Sequence, residues 1–216
     1  MIAPALPMHL ASRRLYGIVD LSLVSAADAP CALEQMLAGG VDLVQLRAKG
    51  TPLDEIAALA RQLQPLCTAA GVPFLLNDHP QLAADLGLDG VHVGQGDLSV
   101  AQTRRLMGPG RLVGKSTSSL AEAVAAAAEA PDYLGFGPIF ATPTKDQAPI
   151  AGLEEIRRVR EAVSLPLYCI GGIKRENLPA LLAAGARHVV LISGILQAPD
   201  IAAYCREVKA LLQAAE

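Results

Sequence analysis

Eight short apolar segments, each ending in polar residues or glycine, recur along the chain with room for a helix between them. They span residues 15–20, 43–47, 74–78, 91–95, 112–116, 133–137, 167–172 and 189–193. Repeated strand-then-helix units imply right-handed crossovers and a parallel sheet. Strands of such a sheet are buried on both faces and read as apolar runs. The pattern therefore predicts an α/β fold, a (β/α)8 TIM barrel, with its functional groups at the carboxyl ends of the strands.

Length and composition favour a single domain. The chain has 216 residues, of which 52% are hydrophobic and 18% are charged, as expected for a sheet covered by helices. No linker or shift in composition divides it, so we expect one barrel domain over residues 1–216, with a short flexible N-terminal segment over residues 1–12. Aromatic residues make up only 3% of the chain, which predicts an aliphatic core.

Charge and hydropathy limit the partners and the compartment. A net charge of −3 offers no basic field to nucleic acid or acidic membranes. The apolar start contains Pro4 and Pro7 and lacks a basic end, so it is unlike a signal peptide, and no run reaches the roughly 18 apolar residues of a membrane span. We expect a cytoplasmic protein without a nucleic-acid or membrane partner; a homo-oligomer is left open. The four cysteines lack metal-ligand spacing and are expected to be buried thiols: Cys31, Cys67, Cys169 and Cys205.

The second helix has a distinct start and stop. Thr51 is predicted to cap its N-terminus, with Pro52 as the first helical residue. Leu53 and the apolar residues that follow it at helical spacing are predicted to face the core. Gly71 is expected to end the helix.

Cationic and amide side chains follow the second strand. By the two-residue period of an extended chain, Gln45, Arg47 and Lys49 lie on one side. An arginine fork and a mobile lysine at a barrel mouth suit an anionic ligand that has several oxygens. The alternative is a cation pair on the surface without a ligand.

Two aspartates end the third and fourth strands. Asp78 and Asp97 are placed to share one Mg²⁺, which prefers one or two carboxylates together with substrate phosphate oxygens. Each aspartate could instead cap the helix that follows it. His79 and His92 are less suited as ligands, His92 because it lies among strand residues whose side chains alternate.

Glycines end the last two strands and indicate a second anion site. Gly171-Gly172 and Ser193-Gly194 follow strands seven and eight, where many barrels bind phosphate through backbone N–H groups. The alternative is a pair of tight turns. The long polar connection over residues 138–149 is expected to close over a ligand, and an ordinary surface loop is its alternative.

Taken together, these motifs resemble the thiamine phosphate synthase family over nearly the whole chain, from Tyr16 to Ile195. The resemblance rests on an ordered set of short motifs: Gln45-Leu46-Arg47-x-Lys49, Asn77-Asp78, Asp89-Gly90-Val91-His92-Val93-Gly94-Gln95-x-Asp97, Gly114-x-Ser116-Thr117, Thr142-x-Thr144-Lys145, Ile170-Gly171-Gly172-Ile173 and Ile192-Ser193.

The resemblance implies a transferase of thiamine biosynthesis. It would join 4-amino-2-methyl-5-(diphosphooxymethyl)pyrimidine to a thiazole phosphate and release pyrophosphate, with Mg²⁺ on Asp78 and Asp97. Four residues are implied to act in catalysis: Arg47, Lys49, Ser116 and Lys145. The implied binding residues for the pyrimidine diphosphate are Gln45, Arg47, Lys49, Asn77, Ser116 and Lys145. For the thiazole phosphate they are Thr142, Thr144, Gly172, Ile192 and Ser193, and Leu46, Ala48 and Gly171 complete the expected substrate-binding set.

Two positions depart from the family pattern. Ala48 stands where the family commonly has glutamate, and Lys115 stands where an apolar residue usually precedes the serine of strand five. By alternation Ala48 points away from Arg47 and Lys49, so diphosphate binding should survive. Lys115 either adds charge to the site or extends outward to solvent.

Three other functions are compatible with parts of the pattern. A thiazole tautomerase is a close relative on the same barrel, but this chain has Pro138 where that relative carries histidine. A phosphate-binding isomerase or lyase could form a Schiff base on Lys115 or Lys145. A non-catalytic barrel would bind both phosphate ligands without releasing pyrophosphate.

Overall fold

The strands close into a barrel in chain order, so that β1 pairs with both β2 and β8 and every pairing is parallel. This computed structural model describes residues 10–142 and 150–215. The predicted (β/α)8 fold is confirmed. The strands are β1 (Leu15–Asp20), β2 (Leu43–Arg47), β3 (Phe74–Asn77), β4 (Gly90–Val93), β5 (Leu112–Thr117), β6 (Tyr133–Phe136), β7 (Leu167–Cys169) and β8 (His188–Leu191).

Helices cover the outside of the barrel. They are α1 (Ala29–Ala38), α2 (Leu53–Ala70), α3 (Pro80–Asp85), α4 (Val100–Met107), α5 (Leu120–Ala128), α6 (Leu153–Ala162), α7 (Leu178–Ala183), α8 (Ser193–Leu196) and α9 (Ile201–Ala214). In the described residues none of them is both long and apolar enough to cross a bilayer. Leu10–Ser12, the described part of the expected flexible segment, forms a 3₁₀ turn in which Leu10 is buried.

The start of α2 differs from the prediction. Pro52, in an extended conformation, is the N-cap residue, and no side chain caps the helix. The predicted cap at Thr51 is therefore wrong by one residue. Leu53 is also not inward-facing but 54% exposed, because a first helical residue has no preceding turn to pack over. Gly71 ends the helix in the left-handed conformation, as predicted.

The core has two layers of different chemistry. The layer between strands and helices is mainly aliphatic, as predicted, although it also contains Phe74 and Phe136. The barrel interior is not, because Tyr16, Tyr133 and Tyr168 fill it with edge-to-face ring contacts at centroid distances of 5.1 to 6.0 Å. A few large rings can close a narrow interior, and their hydroxyl groups need partners. Cys31 is exposed, contrary to expectation, whereas the other three cysteines are buried.

Aspartates just before three strands stabilise the amino-terminal end of the barrel. Asp42, Asp89 and Asp132 precede β2, β4 and β6, and each carboxylate accepts a backbone N–H from the preceding strand. These bonds, 2.7 to 2.9 Å long, come from Leu15, Phe74 and Val113. Polar residues at strand starts thus satisfy backbone groups, as expected of the face that stabilises such a barrel.

Candidate active site

The carboxyl ends of the strands surround a cavity that opens at one face of the barrel. The inner cavity reaches down to Tyr16 and Tyr133 and is bounded by the glycine loop after β7 and by Ile192 and Ser193 after β8. A neighbouring hollow, called here the acidic rim, contains Lys49, Asp78 and Asp97. The two spaces share Arg47, Asn77, His92, Ser116 and Gly137, so they form one continuous site.

The residues of the strand-2 motif separate by alternation, as predicted. Gln45 and Arg47 line the inner cavity and Lys49 lies at the acidic rim. Leu46 and Ala48 are buried in the outer aliphatic layer, so their side chains do not line either space. With only 19% of its side chain exposed, Arg47 is not part of a surface cation pair.

Asp20, at the end of β1, holds Arg47 in place. Its Oδ2 accepts a hydrogen bond from the Arg47 guanidinium at 2.7 Å, and the carboxylate is 1% exposed. Its Oδ1 accepts bonds from both the backbone N–H and the hydroxyl of Ser22. Asp20 ends an apolar run just as the predicted site residues do, and that signal could have identified it.

A chain of hydrogen bonds crosses the floor of the inner cavity. Gln45 Nε2 donates to the Tyr16 hydroxyl at 2.5 Å, and the Tyr16 hydroxyl lies 3.1 Å from that of Tyr133. The Tyr133 hydroxyl lies 3.0 Å from His92 Nδ1, and His92 Nε2 lies 2.8 Å from Ser116 Oγ. Burial raises the pKa of Tyr16 and of Tyr133, so both phenols stay neutral. The two tyrosines therefore give the floor of the cavity polar hydroxyl groups without adding charge.

His92 is a site residue that the motif reasoning did not select. Val91 and Val93 on either side pack in the outer layer, which turns the His92 ring into the barrel. Alternation along β4 could have found it, because a polar residue between two buried valines must face the interior.

The two aspartates of the acidic rim lie together. Asp78 and Asp97 both line this hollow, and Lys49 Nζ is 3.4 Å from Asp78 Oδ2. Burial, and then the charge of Asp97, raise the pKa of Asp78 against the opposing effect of Lys49. Asp78 has a φ of 69°, a conformation that a non-glycine residue adopts at some cost.

Neither aspartate caps a helix. His79 is the N-cap residue of α3, and Ser99 caps α4 in a reciprocal capping box with Gln102. Asp97 instead accepts the N–H of Gly94 at 2.6 Å, within the turn that follows β4. The helix-cap alternatives are therefore wrong for both residues.

The acidic pair suits a hard divalent cation. Within residues 10–142 and 150–215, no cluster of three or more histidine, cysteine or acidic side chains could hold a metal alone. Mg²⁺ commonly takes only one or two carboxylates and completes its shell with water and phosphate oxygens. Two adjoining carboxylates, one with a raised pKa, fit that donor set.

The glycine loop after β7 comes close to other backbone. Gly171 and Gly172 have φ values of 98° and 64°, and a Cβ on Gly172 would lie 2.5 Å from the Ala141 carbonyl oxygen. Asn177 fixes the loop, since its Nδ2 donates to the Gly172 carbonyl at 2.9 Å. Glycine is thus required here by geometry.

The remaining predicted residues of the second anion site border this loop. Thr142, Ile192 and Ser193 line the inner cavity beside Gly171 and Gly172. Thr144 and Lys145, and most of the predicted closing loop, lie outside the described residues.

Lys115 neither adds charge to the cavity nor extends to solvent. It alternates with Gly114 and Ser116, so it faces the outer layer, where it is 3% exposed. Its ammonium donates to the Gly94 carbonyl at 3.0 Å. It therefore cannot form a Schiff base with a ligand in the cavity. Cys169 also lies in the outer layer, and burial raises its pKa to about 12.

A barrel mouth that combines an anchored arginine, an acidic pair and a close-packed glycine loop is typical of enzymes that bind phosphorylated small molecules. Residues 15–195 match the family described as thiamine monophosphate synthase. The thiamine-phosphate synthase of Chloroflexus aurantiacus is 39% identical over 205 residues, which cover 94% of each sequence. That of Laribacter hongkongensis is 44% identical over 199 residues, covering 91% of this chain and 94% of the relative.

A solved structure agrees with these relatives. The thiamine phosphate pyrophosphorylase of Pyrococcus furiosus superposes with a TM-score of 0.85 at 28% identity, covering 94% of this chain and 96% of that one. The chain belongs to the thiamine monophosphate synthase family and is a transferase.

Proposed function

We propose that this chain joins 4-amino-2-methyl-5-(diphosphooxymethyl)pyrimidine to a thiazole phosphate, giving thiamine phosphate and pyrophosphate. One observation carries the proposal. Charged side chains at and just after the ends of β2, β3 and β4, and a glycine loop after β7, are two arrangements suited to anions, and both open into the same site. A transfer between two phosphorylated molecules needs such a pair of sites side by side.

The diphosphate would bind at the acidic rim. Arg47 offers a fork that Asp20 already orients, and Lys49 adds a mobile charge at the opening. Asp78 and Asp97 would hold Mg²⁺, which when bound supplies positive charge to the diphosphate oxygens. In its absence, Lys49 partly offsets the two carboxylates.

The pyrimidine would rest on the polar floor. Since Gln45 donates its Nε2 to Tyr16, its Oε1 would be the atom that accepts a bond from the pyrimidine amino group. His92 and Ser116 present a further polar edge across the cavity. The tyrosine hydroxyl groups orient the side chains of Gln45 and His92 and need not touch the substrate.

The proposed reaction breaks one bond and forms one. The methylene C–O bond of the pyrimidine diphosphate breaks with its electron pair leaving on pyrophosphate, and the electron-rich ring stabilises the resulting carbocation. The thiazole nitrogen then donates its lone pair to that carbon. Positioning and electrostatic stabilisation of the leaving group supply the catalysis, and no protein nucleophile is needed. The buried, protonated thiol of Cys169 is in keeping with this.

The thiazole phosphate would bind between the loops after β7 and β8. Gly172, Ile192 and Ser193 border the cavity there, and backbone N–H groups at such loops commonly bind phosphate. We assign Thr144 and Lys145 to the substrates from the family resemblance alone.

We further propose that the domain comprises residues 1–216 and that the enzyme works in the cytoplasm on small molecules, without nucleic acid or membrane. The low net charge of the chain supports the absence of nucleic-acid and membrane partners.

Omitting each component in turn tests the function. The protein is incubated with both phosphorylated precursors and Mg²⁺, and the mixture is analysed by mass spectrometry for thiamine phosphate. Product should form only when both precursors are present, and chelation should abolish it. A protein that interconverts thiazole tautomers without releasing pyrophosphate would be a tautomerase. One that binds both ligands unchanged would be a non-catalytic barrel.

A further inference from the structure

Lys115 is a buried cation on a strand face whose other residues, Val113 and Thr117, are uncharged. Its neighbour on that face of β5, Val113, belongs to the outer aliphatic layer. The Lys115 ammonium forms no ion pair with any described carboxylate and bonds only to the Gly94 carbonyl oxygen. Burying an ammonium group without a counter-charge is unfavourable. Its position therefore calls for an explanation beyond packing.

The carbonyl that Lys115 contacts belongs to the turn that carries Asp97. Gly94 follows directly after β4, and its N–H donates to Asp97 Oδ2 at 2.6 Å. Asp97 lines the acidic rim together with Asp78. A set of contacts thus runs from the Lys115 ammonium through one glycine to Asp97 of the acidic pair.

The turn has few bonds of its own: besides the bond from the Gly94 N–H to Asp97 Oδ2, the Asp97 N–H donates to the Gly94 carbonyl at 3.4 Å, which is a long hydrogen bond. Residues 94–97 include Gly94 and Gly96, and glycine restricts the backbone least of all residues. Apart from Lys115, a second side chain ties the turn to β5, since Gln95 Nε2 donates to the Ser116 carbonyl at 2.5 Å. These two hydrogen bonds join the turn to Lys115 and Ser116, which are consecutive residues of β5, so that strand supports the turn.

We propose that Lys115, assisted by Gln95, is a positioning residue that holds the turn over residues 94–97 in the shape that presents Asp97 to Asp78, and so sets the affinity of the acidic pair for a divalent cation. The inference rests on the proposed function, because it assumes that the pair binds the metal.

The change in metal affinity when Lys115 is replaced distinguishes a positioning role from a direct electrostatic effect of its charge. A buried ammonium acting through space would repel a metal ion, so its removal would tighten metal binding. If Lys115 acts by holding the turn, its removal weakens binding instead. The geometry favours positioning, because Lys49 at 3.4 Å is the lysine that contacts Asp78, whereas Lys115 contacts a carbonyl.

The test measures Mn²⁺ binding directly, by electron paramagnetic resonance in the presence of pyrophosphate, for the wild-type protein and for Lys115→Met. We expect binding in the variant to weaken by about 10-fold to 100-fold, the usual effect of losing a group that orients a metal ligand. High Mg²⁺ should restore the turnover of the variant.

Arg14→Met is the matched control. Arg14 is also a buried cation bonded to a backbone carbonyl, that of Arg187 at 2.9 Å, but it lies at the amino-terminal end of the barrel. Both variants lose a buried cation and some stability. Only Lys115→Met should lose Mn²⁺ affinity.

Gln95→Met keeps the test decisive if Lys115→Met does not fold, because Gln95 is exposed. It should weaken Mn²⁺ binding by on the order of tenfold. Unchanged Mn²⁺ affinity in the variants that fold, or tighter binding in Lys115→Met, overturns the positioning role alone. A wild-type protein that binds no Mn²⁺ overturns the metal assignment and this inference with it.

Discussion

The Asp20–Arg47 ion pair offers a prediction whose magnitude follows from the structure. Replacing Asp20 by asparagine keeps the oxygen that accepts the two bonds from Ser22 but removes the charge that faces Arg47 at 2.7 Å. Breaking one half of a buried pair costs about 3 to 5 kcal/mol. Because the Arg47 side chain stays 19% exposed, we expect the low end, about 3 kcal/mol.

A loss of that size is easily measured by thermal unfolding. For chains of about 150 to 250 residues, 1 kcal/mol shifts the melting temperature by about 2 to 4 °C, so Asp20→Asn should melt about 6 to 12 °C lower. Glu155→Gln is the matched control, since it breaks an exposed pair with Arg158 and should cost about 0.5 kcal/mol or less.

The same variant should affect one substrate selectively. A guanidinium that is no longer held must be ordered on binding, and losing about 1.4 kcal/mol raises the KM for the pyrimidine diphosphate about tenfold. The KM for the thiazole phosphate should not change. If Asp20→Asn melts like the wild type and keeps both KM values, Asp20 does not hold Arg47 for substrate and this reasoning is refuted.

Three further predictions test other parts of the site. Asp78→Asn should lower turnover by on the order of 10²-fold, yet raise the melting temperature of the metal-free protein at neutral pH. The reason is that folding raises the pKa of Asp78 above 3.8, so its charged form lowers the stability of the folded protein as the pH rises from 3.8 through the raised value. Unchanged turnover of the variant in excess chelator would remove the metal from the mechanism. Gly172→Ala places a methyl group against the backbone of a neighbouring loop and should raise the KM for the thiazole phosphate, whereas Arg47→Ala should raise the KM for the pyrimidine diphosphate. Gly87→Ala is the control, because Gly87 has a similar φ of 65° but open space around it. Equal losses for both substrates would contradict two distinct sites. Lys145→Ala should abolish pyrophosphate release while circular dichroism shows the fold retained; full release would exclude Lys145 from the site.

Much of the barrel and its mouth could be predicted because the signals are local. Each apolar run and its polar ending lie within six residues of sequence, and the period of two sorted Arg47 from Ala48 correctly. The glycines after β7 were also readable, since an anion loop and a tight turn both need them. The steric need for glycine at position 172 could not be predicted, because the atom that a side chain there would meet is the Ala141 carbonyl oxygen on another loop.

What could not be predicted depends on pairings across the barrel. Asp20 meets Arg47 only because β1 and β2 are in register, which a list of motifs does not specify. The tyrosine floor needs three strands to bring their rings together. Lys115 could be assigned to the outer face by alternation, but its contact with Gly94 depends on the turn after the neighbouring strand.

The most direct test of the account is a crystal structure of the protein with thiamine phosphate, pyrophosphate and Mg²⁺. The account predicts pyrophosphate against Arg47 and Lys49, a metal ion bound by Asp78 and Asp97, and the phosphate of thiamine phosphate at the loop containing Gly172. Pyrophosphate at the glycine loop, or a metal ion that touches neither aspartate, would contradict it.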